Sequence, residues 1–208
     1  MIDKICENLT NKIQKKMPEI NDERAQIIKY GLQLMIGEIP KFILLIAMAI
    51  ISKIGWLVIF AYITMLPYKI VAGGFHLKTH IGCTIGTFIV YFGNVLISKN
   101  LILQPAYLKY IIAGLIWGIS LIMISLYAPA DTVNAPILRK KERKLKKILS
   151  YIFATITLLV AMLIKDNTLS NILLINVLLE SISISRLAYK ITKNEYGYET
   201  YIKQNSLE

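Results

Sequence analysis

The chain has 208 residues, 55% of them hydrophobic, and its mean hydropathy of +0.55 is too high for an ordinary soluble domain. A formal charge of +11 would point to nucleic acid in a soluble protein. Here the basic residues gather between apolar runs, which directs them instead to anionic lipid headgroups or to an acidic partner at the same surface.

Residues 2–17 place Ile2, Ile5, Leu9, Ile13 and Met17 at spacings of three and four among lysines, the pattern of an amphipathic helix lying on a membrane surface. Cys6 sits beside that stripe as a packing residue. Residues 1–23 hold no uninterrupted apolar stretch of the kind that a cleavable export signal carries. A polar turn follows over 18–24, and the chain is then mostly apolar over 31–52, long enough to cross a bilayer. Gln33, Glu38, Pro40 and Lys41 interrupt that run, at a depth where polar groups need protein or a water-filled cavity beside them.

Lys53-Ile-Gly55 reads as a minimal turn into a short second span over 56–70, which delivers the chain to Gly73-Gly74. A third span is expected over 82–97 and a fourth over 110–128, the latter ending in Pro129-Ala-Asp-Thr-Val-Asn-Ala-Pro136. Residues 139–147 form a basic loop with seven cations and one acid. The fifth and sixth spans follow over 148–164 and 169–187, and the tail from Ala188 is polar and rich in tyrosine. The expected fold is therefore all-α, a polytopic membrane protein of about six transmembrane helices behind an interfacial helix. It reads as a single domain over 1–208, made of the amphipathic segment 1–24, a bundle over 31–187 and a tail over 188–208.

Six spans put both termini on one side. With the N-terminus cytoplasmic, nineteen of the 24 basic residues fall on the inner face and four on the outer, with Lys41 left inside a span. Basic residues near spans are retained in the cytoplasm, so this orientation is the expected one. Both Cys6 and Cys83 then face a reducing compartment and make no disulfide framework.

The segment Val71-Ala-Gly-Gly-Phe-His-Leu-Lys-Thr-His-Ile-Gly-Cys83 holds both histidines and one of the two cysteines. A cysteine with an imidazole to take its proton is the minimum equipment for nucleophilic acyl chemistry. On an unbroken helix His80, three residues before Cys83, shares its face. His76 lies seven before, a rise of roughly 10 Å, and reaches the sulfur only if the backbone leaves the helix, which Gly73, Gly74 and Gly82 permit. The spacing of His76, His80 and Cys83 also suits a soft metal in a transporter, although a zinc hydrolase of the H-E-x-x-H kind is disfavoured because Leu77 occupies the glutamate position. A peptide permease using Glu38 and Lys41 is a further alternative.

Gly73-Gly-Phe-His76, then Cys83, then Tyr127-Ala-Pro-Ala-Asp131 through Pro136 and a basic run resemble the accessory gene regulator protein B family over essentially the whole chain. The resemblance implies a membrane cysteine endopeptidase of Gram-positive quorum sensing, with Cys83 as nucleophile and His76 as base, and no metal or cofactor. Its partner would be a small precursor peptide with an acidic C-terminal tail, cleaved through a thioester and closed into a cyclic thiolactone or lactone. Arg139, Lys140, Lys141, Arg143 and Lys144 are placed to attract that tail. Asp131, Gly73, Gly74, Lys69, Gln33 and Glu38 are candidate supports. Asp131 either orients His76 or caps a turn, and Lys69 stands where family members often carry arginine. Whether two copies associate is left open.

Overall fold

The computed structural model describes residues 2–77, 79–133 and 136–206, and among them it is helical, with one isolated β-bridge and no named strand. The chain divides into two compact units, Met1–Met48 and Ala49–Glu208.

In the smaller unit, α1 (Ile2–Lys16) covers the amphipathic stretch read from the sequence. The chain turns over 17–21, and the Asn21 side chain accepts from the Arg24 amide at 2.9 Å, a cap for the start of α2 (Asp22–Ile51). An ion pair of 3.5 Å joins Lys29 to Glu7. The helix runs through Pro40, which has no amide proton to donate.

The larger unit holds α3 (Gly55–Ala72), α4 (His80–Asn100), α5 (Ala106–Tyr127), α6 (Lys140–Leu163) and α7 (Asn167–Ser183). Two short helices close the tail, α8 (Arg186–Ile191) and α9 (Gly197–Asn205). Helix α7 is the axis, packed against α3, α4, α5 and α6. It is largely buried, with Ile172, Leu173, Leu174 and Val177 among its neighbours' apolar side chains. The surrounding helices expose apolar stripes at helical spacing: Ile81, Ile85 and Ile89 on α4, and Ile148, Ile152 and Ile156 on α6. Stripes of that extent are not left to water in a soluble monomer. They suit hydrocarbon.

Among the described residues, four helices are long and apolar enough to cross a membrane: Gly55–Ala72, Ile81–Asn100, Tyr107–Tyr127 and Lys140–Leu163. They correspond to the second to fifth expected spans. The first expected span lies within α2, where the described residues include a shorter apolar run, Ile39–Ile51, and the sixth corresponds to the 17-residue α7. One difference from the expected layout is plain. The basic stretch is no loop: from Lys140 onward it forms the first turns of α6. Lysine, arginine, glutamate and leucine are good helix formers, Glu142 suits a helix start, and it pairs with Lys146 at 3.1 Å one turn later.

Polar side chains of α7 hold the bundle together. Asn176 donates to the Ala61 carbonyl at 2.9 Å and to Thr64 at 3.0 Å, and accepts from Asn94 of α4 at 2.8 Å. Asn171 donates to the carbonyls of Ser98 and Leu101. Nearer the other end, Ser181 bridges Tyr68 of α3 and Ser120 of α5. Bonds of this kind between membrane helices average about 0.6 kcal/mol each, and together they fix which faces meet.

Candidate active site

The site lies where α3 gives way to α4. Helix α3 ends because Gly73 (φ 83°) and Gly74 (φ 134°) take left-handed conformations that other residues resist. Close approach reinforces the choice. A Cβ on Gly73 would overlap the Ala130 carbonyl oxygen, and one on Gly74 would lie 2.8 Å from Ser183 Oγ. Free of side chains, the segment runs parallel to the loop after α5. The Ala130 amide donates to the Ala72 carbonyl at 2.7 Å, and the Gly74 amide donates to the Ala130 carbonyl at 2.9 Å. The two motifs singled out from the sequence, Gly-Gly-x-His and Ala-Pro-Ala-Asp, are thus paired.

His76 is exposed on the extended strap that follows. Thr79 then caps α4, accepting the Gly82 amide on its side chain at 3.0 Å, and Cys83 stands in the first helical turn with its amide bonded to the Thr79 carbonyl at 2.9 Å. Cys83 is in no disulfide and is half-buried. Because the backbone is non-helical before His80, the straight-helix separation between His76 and Cys83 does not apply. His80 opens α4, three residues before Cys83 on a continuous helix, and its side chain lies outside the described ones.

Asp131 is buried beside this pairing. Its Oδ2 accepts from the Ile137 amide at 2.8 Å and from Arg143 Nη1 at 3.0 Å, while Oδ1 has no hydrogen-bond partner among the described residues. Arg143 also donates to the carbonyls of Ile137 and Pro129 and lies 4.2 Å from the Tyr198 ring centre. It therefore ties down the loop, whereas Arg139, Lys140, Lys141 and Lys144 are exposed. Arg143, Lys144 and Lys147 share an open pocket of about 340 Å³ with Tyr127, Tyr196 and Tyr198. Burial pushes the Tyr196 phenol up, and neighbouring Tyr127 adds to the effect.

Lys69, one turn before the glycines, pairs at 3.4 Å with Glu180 of α7, whose side chain is fully buried. A Cβ on Gly74 would stand 3.6 Å from the other Glu180 oxygen, so this carboxylate lies directly under the strap. Glu180 was not among the residues singled out from the sequence. A lone acid in the apolar run 169–187 was the available signal. Gln33 and Glu38 belong to the smaller unit, and their side chains lie outside the described ones.

The model of the family described as Accessory gene regulator B matches residues 6–184. The chain belongs to the accessory gene regulator B family. An AgrB-like protein of Listeria monocytogenes is 26% identical over 183 residues, 87% of this chain and 87% of its own length. One from Listeria innocua is 27% identical with the same coverage. The accessory gene regulator protein B of Staphylococcus epidermidis is 28% identical over 188 residues, 88% of this chain and 91% of its own. No solved structure matches the chain. The matched range takes in the glycine pair, His76, Cys83 and the loop around Asp131, and it stops before α8.

Proposed function

We propose that this accessory gene regulator B protein is a membrane-embedded cysteine endopeptidase of a quorum-sensing system. It removes the acidic C-terminal tail of a small precursor peptide and conserves the acyl group for ring closure. The observation that carries the reading is the break between α3 and α4, with His76 on an exposed strap and Cys83 in the first turn of the next helix.

His76 takes the thiol proton and the Cys83 sulfur adds to a peptide carbonyl, with the imidazolium then protonating the departing amine as the C–N bond breaks. The amides at the start of α4 point their positive ends towards this region and favour the negative charge that develops there. What remains is a thioester between Cys83 and the retained peptide. A thiol or hydroxyl of that peptide attacks the same carbonyl, closes the thiolactone or lactone, and returns Cys83 as the leaving group. A sheltered position at the rim of an apolar bundle limits competing hydrolysis.

The exposed cations Arg139, Lys140, Lys141 and Lys144 at the start of α6 are suited to draw in an acidic tail. The protein resides in the cell membrane with both termini and the site on the cytoplasmic side, and α1 lies along the inner surface. Among the described residues of the larger unit, twelve basic residues belong to the end of α3, the start of α6 and the tail, against Lys53, Lys99, Lys109 and Lys165 in the other connections.

Co-expression with the peptide encoded by the small open reading frame beside the gene, followed by mass spectrometry, tests the activity. Cys83→Ala and His76→Ala should accumulate full-length precursor while Cys6→Ser processes normally. Normal processing by Cys83→Ala would end the reading. Loss of processing on chelation, with Cys83 dispensable, would favour a metal enzyme instead.

A further inference from the structure

Beyond residue 184, where the family match stops, the chain returns to the strap. Ser185 caps α8 by accepting the Ala188 amide, and Lys193 (φ 54°) turns the chain back so that the Asn194 amide bonds to the Tyr189 carbonyl at 2.8 Å. This turn aims the Asn194 side chain at the site. Its Nδ2 donates to the His76 carbonyl at 2.8 Å and to Thr192 Oγ1 at 2.8 Å.

Tyr189 secures the loop to which the other end of the strap is paired. Buried, and stacked on Tyr196 with ring centres 4.1 Å apart, its hydroxyl meets the Ala130 carbonyl at 2.9 Å and the Asp131 carbonyl at 3.1 Å. The Ala130 carbonyl is also the acceptor for Gly74. Two side chains five residues apart therefore hold the strap at its glycine anchor and at its histidine. Tyr196 keeps this arrangement in register by donating to the Ile184 carbonyl at 2.7 Å.

We propose that the C-terminal segment 186–196 is a working part of the active site, with Asn194 and Tyr189 as positioning residues that hold His76 in reach of Cys83. The proposal rests on the peptidase reading above. An exposed strap following two glycines has many conformations available. A donor fixed to the His76 backbone removes most of them before substrate arrives, and a general base displaced by about 1 Å loses much of its effect. Losing one such hydrogen bond should lower turnover roughly threefold to tenfold. The KM for the peptide should stay the same, since neither residue need touch substrate.

The test uses full-length protein in detergent micelles, in a Cys6→Ser background so that Cys83 is the sole thiol. Asn194→Ala deletes the donor; Asn194→Asp keeps the shape and cannot donate; Tyr189→Phe keeps the ring stack without the hydroxyl. Two readouts are needed. One is kcat and KM on the peptide from the adjacent reading frame, and the other is the pH profile of Cys83 alkylation by iodoacetamide, which reports the imidazole–thiol pairing without any peptide. The expected result is a fall in kcat for all three variants, with the alkylation profile moved towards that of His76→Ala. Lys193 is no control, because its own backbone forms the turn; Gln204→Ala serves instead and should match the parent.

Wild-type turnover and profile in Asn194→Ala and Tyr189→Phe, with His76→Ala inactive, would overturn the positioning role and leave the peptidase reading standing. Full processing by His76→Ala would remove both. Loss of the folded species by size exclusion in Asn194→Asp and Tyr189→Phe alike would also overturn the proposal, by reducing the segment to a folding element.

Discussion

Replacing Gly73 by alanine perturbs the strap at its anchor. The left-handed backbone at φ 83° costs an L-residue about 1–2 kcal/mol. The new methyl would in addition overlap the Ala130 carbonyl oxygen, so the loop must retreat and surrender the Gly74 to Ala130 and Ala130 to Ala72 hydrogen bonds. At about 1 kcal/mol each those bonds bring the penalty to about 3 kcal/mol, or roughly a hundredfold in the population of the assembled strap. The helical bundle does not depend on these bonds, so the protein should still fold and elute as the parent does. Peptide processing, followed by mass spectrometry over time, should slow by about two powers of ten. Gly114→Ala and Gly118→Ala, where nothing lies within 4 Å of the added carbon, are the matched controls and should leave the rate unchanged. Parental rates in Gly73→Ala would refute the claim that the strap must be pinned to Ala130.

The ion pair below the strap should respond asymmetrically: Lys69→Met strands a fully buried carboxylate and should cost about 3 kcal/mol, whereas Glu180→Gln leaves a lysine able to reach water and should cost about 1. Equal shifts in detergent thermal unfolding would count against the burial argument. Arg143→Lys keeps the charge but not the fork that meets Asp131, Ile137 and Pro129, and should lower stability by about 1–2 kcal/mol, whereas Arg143→Met strands the buried Asp131 carboxylate and should cost about 3 kcal/mol in the same unfolding measurement. Because burial raises the Tyr196 phenol, the folded state favours its neutral form: the stabilisation is complete below the ordinary phenol range and lost as pH rises through the higher folded value. Ultraviolet titration should find one fewer phenol ionising in the ordinary range than in Tyr196→Phe plus one, and denaturation at alkaline pH should coincide with its release. In a cysteine-free background, a membrane-impermeant maleimide applied to whole cells should label Lys53→Cys and Lys165→Cys and spare Gln204→Cys; the reverse pattern would invert the orientation.

Local signals were legible. Gly73-Gly74 and the Pro129–Pro136 stretch stood out as breaks because glycine and proline end helices by their own backbone geometry. What they do together was not legible. The pairing of Gly73 with Ala130 joins residues far apart in the chain, and only the packing of α3 and α5 against α7 brings those ends level. The basic stretch reads as a loop if charge alone marks a connection, yet its residues are helix formers and open α6. Glu180 disappeared into an apolar average, and its partner Lys69 sits 111 residues away. The tail offered no periodicity that would announce a role, since Asn194 acts through a single amide aimed by a turn.

Helix α7 carries a demand on biogenesis. Seventeen residues long, with Asn171, Asn176, Glu180 and three serines inward on every side, it is a poor candidate to partition into lipid by itself. Its lodging is made by four helices that emerge from the ribosome earlier. The carboxylate beneath Gly74 and the tail's bond to Ala130 both require α7 and the segment after it to be in place. On the peptidase reading proposed above, catalytic competence then waits until α7 and the tail are in place.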